Sequence, residues 1–274
     1  MRSAKPGLYE YQCESVFLND LYYNSSMRHV GYTSIVASGL NAAILHYGHA
    51  AAPNDRQMKN GELWFTNKLN SLADCGGEYY GYTADITVTF PVNGKFDLQQ
   101  VDIYNLVLSV NRKIFNMANV GVKWVDLHIK SLKLIADGLL KLNLLIGDID
   151  EIYASGVAKL FMPHGLGHQL GLDVHDVNPK VKTDGKFEVL RTHCILAENM
   201  IVTIEPGCYF IKSLLDSGYK DLKYKKFLNK KVIDEYVHVG GVRIEDDVLI
   251  TKSGAEDLVK LPRTVKEIES FLKK

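Results

Sequence analysis

Carboxylates and imidazoles gather in four short stretches of this chain. DCGGEYYGYTAD holds Asp74 and Asp85, PHGLGHQLGLDVHD holds His164, His168 and His175, MIVTIEPG ends its apolar run at Glu205, and GGVRIEDDVLIT carries Glu245. In an unbulged hairpin, residues whose numbers share a constant sum stand opposite each other. A turn centred on Tyr79-Tyr80 therefore predicts Asp74 directly across from Asp85, with Cβ atoms about 4.5–5.5 Å apart. Two carboxylates that close repel unless a cation lies between them. Thr87 follows on the same strand face, where its hydroxyl would hold the Asp85 carboxylate. On a strand over 200–205 Ile201, Thr203 and Glu205 share a face, and alternation groups Arg243, Glu245 and Asp247 on another strand. Taken singly, each stretch also fits a plainer role, such as exposed aspartates at a turn or a half-exposed strand with a salt-linked face. Together, the carboxylates and one or more imidazoles form a hard, oxygen-rich set. Such a set suits Mn²⁺ or a similar divalent ion rather than the thiolate chemistry of structural zinc. That much negative charge fits two cations better than one, and a pair about 3.5–4 Å apart acidifies a shared water and polarises a carbonyl. A dinuclear hydrolase centre is the expected chemistry.

Such a site needs strands to present its ligands and helices to bury them. Apolar residues at Val101, Tyr104, Val107, Leu108 and Phe115 predict a helix over 97–116, and those from Leu127 to Leu142 predict a second over 125–145. MIVTIE and GVRIEDDVLI read as buried strands, GYTSIVASGLNAAILHYGH as two short β-runs parted by SGLN, and Asn60-Gly61 as a hairpin turn. The mixture predicts an α+β protein. The lysine-rich SLLDSGYKDLKYKKFLNKKVIDEYV reads as a solvated insertion, not a nucleic-acid surface. With 32 basic and 32 acidic residues, the chain offers no general attraction for nucleic acid or an anionic membrane. No apolar run reaches the roughly 18–20 residues of a membrane helix. MRSAKPGLYEYQ lacks the apolar core of a secretory signal, and the cysteines are scattered without a CxxC pair, which predicts a reduced, cytoplasmic protein.

In order along the chain, LHYGHAAAPNDR, DCGGEYYGYTADIT, FMPHGLGHQLGLDVHD, TIEPGCYFI and GGVRIEDDVLIT resemble the motifs of the pita-bread metallopeptidases, and among them the Xaa-Pro dipeptidases. The similarity runs from about Met27 to near Ile268. It implies a pita-bread α+β fold with a curved, largely antiparallel sheet flanked by helices. A catalytic domain would span 27–274, after a partial N-terminal remnant at 1–26. The resemblance makes Asp74, Asp85, His168, Glu205 and Glu245 the metal ligands, with Asp74 and Glu245 each reaching both metals and Glu205 also handling protons. It casts His175 as the group that steadies the tetrahedral intermediate, His164 and His46 as histidines lining the substrate site, Arg191 as the partner of the dipeptide's C-terminal carboxylate, and Tyr32 as a pocket tyrosine. The implied protein is a cytoplasmic homodimer that uses two Mn²⁺ per chain to hydrolyse the imide bond before a C-terminal proline, by a metal-bridging hydroxide. Two other readings are an aminopeptidase P acting on longer Xaa-Pro peptides and an inactive, truncated pita-bread binding protein. FTNKLNS, residues 65–71, has no counterpart in the family strand that delivers Asp74, and is expected to loop out of it.

Overall fold

The computed structural model describes residues 1–47, 54–58, 70–178 and 190–273. Helix α1 (Glu10–Asn24) is followed by the short strands β1 (His29–Val30) and β2 (Ile35–Ser38). A buried acid docks the helix: Glu10 Oε1 accepts hydrogen bonds from the backbone N–H and hydroxyl of Ser38, both at 2.6 Å. A long hairpin then runs through β3 (Asn70–Cys75), β4 (Gly77–Tyr79), β5 (Tyr82–Thr83) and β6 (Ile86–Pro91). The helical layer comes next, as α2 (Leu98–Met117), α3 (Trp124–Lys141) and α4 (Ile149–Ser155). The remaining elements are β7 (Ile201–Ile204), β8 (Gly207–Tyr209), α5 (Lys212–Lys220), α6 (Lys230–Tyr236), β9 (Gly241–Arg243), β10 (Asp246–Thr251), β11 (Gly254–Asp257) and α7 (Val265–Leu272).

All the paired strands among the described residues are antiparallel, as expected for an α+β fold. β3 lies between β2 and β6, while β10 lies between β7 and β11. The pairs Asp246–Ile204 and Arg243–Gly207 keep one register across a gap at Glu205-Pro206 and Ile244-Glu245. Pro206 has no N–H to give the ladder, so the pairing has to lapse there. Glu205 N–H turns instead to the carbonyl of Leu166 at 2.9 Å, and Thr203 N–H to that of His168 at 2.8 Å. The histidine segment is thereby tied along β7. The two hairpins meet where Glu245 N–H donates to Thr87 O at 3.2 Å and Thr89 Oγ1 donates to Arg243 O at 2.9 Å. α2 packs over β7, β8, β9 and β11 and α3 packs on α2, all within the main core, with Trp124, Ile103, Ile114, Ile135 and Leu139 fully buried. A smaller cluster of Ile35, Ala37, Leu72 and Tyr209 backs the catalytic side of the sheet.

Several expectations are corrected. Asp74 stands opposite Thr87, not Asp85, because the turn is Tyr80-Gly81: Tyr79 pairs with Tyr82 and Glu78 with Thr83. Both turn residues have positive φ, +51° and +87°, as the two-residue turn that matches the natural twist of a hairpin requires. After SGLN the chain makes a 3₁₀ turn over Gly39–Ala43 instead of a second β-run. The lysine-rich segment is no solvated insertion: Leu215, Phe227, Ile233 and Tyr236 join the main core while its lysines face outward. Asn70 and Ser71 do not loop out but are buried in β3, paired with Pro91 and Phe90. The rest of FTNKLNS and the Asn60-Gly61 turn lie outside the described residues.

Candidate metal centre

The four sequence stretches converge on one cavity of 280 Å³, whose walls include Asp74, Asp85, His164, His168, His175, Glu205 and Glu245. β3 delivers Asp74. Asp85 projects just before β6, two register steps from Asp74's partner and so on the same face of the sheet. The corner between them needs Gly76, where a Cβ would stand 1.6 Å from the carbonyl oxygen of Ala84. Glu205 and Glu245 come from the gap in the second ladder, where neither is committed to strand pairing.

Two donor groups have ligand atoms mutually within 4.8 Å: Asp74, Asp85 and Glu245 on one side, His168, Glu205 and Glu245 on the other. A third such group joins Asp85 to His168 and His175. Glu245 is thus common to the first two groups, and Asp85 to the first and the third. His168 Nε2 lies 3.3 Å from Asp85 Oδ2 and 3.4 Å from Glu205 Oε1. Its Nδ1 is 2.9 Å from the carbonyl of Gln169 and donates there, so Nε2 is the ring nitrogen turned toward the cluster, protonated against the carboxylates or, once that proton leaves, open to a cation. All the donors are oxygen or imidazole, and none of the free cysteines belongs to these groups. The set fits hard divalent cations.

The protein groups alone carry a heavy electrostatic cost. Burial, then repulsion from Asp85, Glu205 and Asp74, drives the Glu245 carboxyl well above its usual range. Burial lifts Asp74 to about 7 against the pull of Arg243, and also raises Glu205 against His168 and Arg243. Burial works against charge on His168, but its hydrogen bond to Asp85 and the nearby carboxylates bring it up to about 8. Burial is the largest single influence on Asp85 and would raise it, but His168 together with the hydrogen bonds from Tyr32 and Asp74 holds it below its usual range. A divalent cation held among these groups would relieve the repulsion where protons otherwise must.

Around the ligands runs a shell that sequence reasoning placed only in part. Thr87 donates to Glu245 Oε2 at 2.5 Å and accepts from Arg243 Nε at 2.9 Å, so it holds Glu245 and not Asp85. Arg243, fully enclosed, also donates to Asp74 and, at 3.0 Å, to the Tyr209 hydroxyl. Tyr209 in turn reaches His164 Nε2 at 3.0 Å, completing a line from a ligand to a pocket histidine. Burial and the Arg243 charge lower His164 to about 3, which keeps it neutral. Asp247 Oδ2 accepts from the backbone N–H of Asp85 at 3.2 Å. Strand alternation had already put Arg243 and Asp247 on the face of Glu245, and that was the signal for both; Tyr209 left none. The Tyr32 hydroxyl bonds both Asp74 and Asp85, behind the carboxylates. His46 and Arg191 line the mouth of the cavity, with the His46 ring 6.4 Å from that of His175. His175 stands edge-on to His168, ring centres 4.5 Å apart.

A family model described as metallopeptidase family M24 matches residues 1–252. This chain belongs to metallopeptidase family M24. Among M24 relatives, it is 44% identical to the Xaa-Pro dipeptidase of Mus musculus and 43% identical to that of Homo sapiens, over 99% of its own length. It spans 55% of each of those proteins, about half their length. A probable Xaa-Pro aminopeptidase of Botryotinia fuckeliana is 39% identical over 99% of the chain and 57% of the relative. Of solved M24 structures, the Pseudomonas aeruginosa aminopeptidase PepP superposes with a TM-score of 0.79 at 36% identity, covering 99% of this chain and 54% of that one. Escherichia coli aminopeptidase P gives 0.79 at 33%, with the same coverage. The α+β architecture is the M24 pita-bread fold.

Proposed function

We propose that this chain hydrolyses the imide bond of Xaa-Pro dipeptides with two divalent cations held by Asp74, Asp85, His168, Glu205 and Glu245. The observation that carries the reading is the pair of donor groups sharing Glu245 inside a cavity edged by histidines and an arginine. When bound, such cations supply Lewis acidity and a water acidified toward neutral pH. The hard donor set and the family resemblance support Mn²⁺ as the metal. Glu245 and Asp85, each a member of two donor groups, and Asp74, held by Arg243 and Tyr32, would hold the cations together with His168 and Glu205. Glu205, raised by burial and bonded to Thr203 Oγ1 at 3.2 Å, takes and returns the proton. His175 is lowered to about 4 by burial and the neighbouring His168; as a neutral N–H donor it steadies the oxygen charge that develops on the former carbonyl. His164, anchored through Nδ1 on Gly165 O at 2.7 Å, shapes the substrate site together with His46. Arg191, at the exposed mouth, pairs with the substrate's C-terminal carboxylate, a role its planar fork suits.

A free carboxylate immediately after proline belongs to a dipeptide, and a cationic mouth favours that substrate. Aminopeptidase P activity on longer peptides is the second reading, favoured by the aminopeptidase structures that superpose on this chain. Metal analysis with parallel assays of Ala-Pro and Ala-Pro-Ala separates the cases. About two Mn²⁺ per chain and preference for Ala-Pro are expected; a protein that binds no divalent metal and cleaves neither peptide sinks the hydrolase reading. The resemblance further supports a cytoplasmic homodimer with a catalytic domain over 27–274 and residues 1–26 as part of an N-terminal region. No helix among the described residues is long and apolar enough to cross a membrane.

A further inference from the structure

We propose that Arg263 and helix α7 form a clamp that fixes the carboxylate of Glu245, making Arg263 a positioning residue for the hydrolysis proposed above, on which this inference rests. Arg263 lies beyond the residues matched by the family model, which end at 252. Its buried guanidinium donates through Nη1 to the carbonyl of Thr87 at 3.1 Å, and through Nη2 to the carbonyl of Glu245 at 2.6 Å and to the Asp246 carboxylate. Thr87 and Glu245 belong to different hairpins. They are the pair whose backbones meet at the seam and whose side chains are bonded to each other. One side chain thus holds the peptide groups on both sides of a ligand's own hydrogen bond. Only a forked, multiply donating cation spans such a set; an ammonium offers a single point.

The clamp has its own mounting. Arg263 N–H and Thr264 N–H donate to Glu267 Oε2 at 3.1 and 2.9 Å, and Glu267 N–H returns a bond to Thr264 Oγ1 at 3.2 Å. This is the reciprocal cap of α7. The Tyr104 hydroxyl donates to the carbonyl of Arg263 at 2.9 Å and ties the mounting to α2. Arg112 supplies a built-in comparison: it approaches Asp246 from the outer side at 2.7 Å and Asp257 at 3.0 Å. Both arginines neutralise Asp246, but only Arg263 reaches the peptide of Glu245.

The test compares Arg263→Lys, Arg112→Lys and Glu267→Ala in the full chain. Three quantities are read: the melting midpoint of the metal-free protein, Mn²⁺ binding followed by the EPR signal of the free ion, and kcat and KM on Ala-Pro. Arg263→Lys is expected to weaken Mn²⁺ binding about 10–100-fold and to lower kcat while KM changes little. Glu267→Ala, which removes the acceptor for both N–H groups, should move binding in the same direction by less. Arg112→Lys should lower the midpoint yet bind Mn²⁺ like the parent. Equal Mn²⁺ affinity in Arg263→Lys and the parent overturns the clamp, as does an equal loss in both arginine variants. If Arg263→Lys does not fold, the Glu267→Ala titration decides: unchanged affinity overturns the proposal and weakened affinity supports it. A parent that binds no Mn²⁺ overturns the hydrolase reading itself, an outcome distinct from a parent that loads normally beside variants that load equally well.

Discussion

Replacing Thr87 by valine keeps the shape of a fully buried side chain and removes one hydroxyl. That hydroxyl serves Glu245 and Arg243 at once, so two enclosed groups lose a partner together. In the metal-free protein burial and the neighbouring carboxylates drive Glu245 well above its usual range, which favours its neutral form, and a neutral hydrogen bond contributes about 1 kcal/mol. The bond to the charged Arg243 contributes about 1.5–3 kcal/mol. The sum, about 2.5–4 kcal/mol, corresponds to a fall of roughly 5–15 °C in melting midpoint for a chain of this size. Cation binding requires Glu245 as a carboxylate, which depends more on the missing donor. Mn²⁺ affinity should therefore drop by a further 10–100-fold or so. Thr87→Ser, which keeps the hydroxyl, is the control and should recover most of both losses. Scanning calorimetry with and without Mn²⁺ measures the two effects separately. A valine variant that melts within a degree of the parent and titrates identically would refute the view that Thr87 couples the two hairpins through Glu245.

Metal-free stability should fall as pH rises from 7 to 8, above the range near an unfolded value of about 6.5 where His128, His164 and His175, held low by burial, act in the opposite direction. Asp74 is lifted to about 7 and His168 to about 8, against unfolded values of about 3.9 and 6.5. Both bind more protons folded than unfolded across that window, so the stability they lend is present at lower pH and lost as pH passes their folded values. Asp85, held low, is ionised in both states there and adds no slope. Saturating Mn²⁺ should flatten or reverse the trend, and melting curves at several pH values, with and without the ion, check it. His175→Ala should keep its metal and lose about 10²–10³ in kcat, as for a missing donor to a developing oxyanion; kcat within a few-fold of the parent would contradict that role. Arg191→Lys should raise KM for Ala-Pro and leave the amidated dipeptide unaffected, and an equal change on both would show that Arg191 does not read the carboxylate.

The convergence of the candidate donors was legible because their chemistry is local: an aspartate pair around a hairpin, histidines among glycines, glutamates ending apolar runs. α2 was legible from its period, and the Asp97 side chain caps it by accepting from Gln100 N–H at 2.9 Å. The register of the first hairpin was missed because the Tyr80-Gly81 turn asks tyrosine to adopt positive φ, which its sequence does not advertise. The role of Thr87 moved with that register, since its partner Glu245 arrives from a strand far along the chain. α5 and α6 were read as solvated because lysines outnumber the few apolar residues that anchor them, and burial there is decided by tertiary contact, not composition. Asp148 caps α4 and Thr264 with Glu267 caps α7; both were sequence signals that went unused.

The lapse in pairing at Glu205-Pro206 and Ile244-Glu245 has a consequence for how the molecule comes apart. The first hairpin supplies Asp74 and Asp85, the second Glu205 and Glu245, and the whole of 86–204 lies between them along the chain. An ion gripped by both halves closes that long loop in the folded state, and no comparable grip exists once the chain is open. It therefore behaves as a rivet across the seam, and its effect is on the rate of opening as much as on the equilibrium. Chelation should let the two hairpins part along that seam while each still keeps its own ladder. Amide exchange would then quicken first at Glu245 and Arg243, whose backbone N–H groups bond Thr87 O and Thr89 Oγ1 across it.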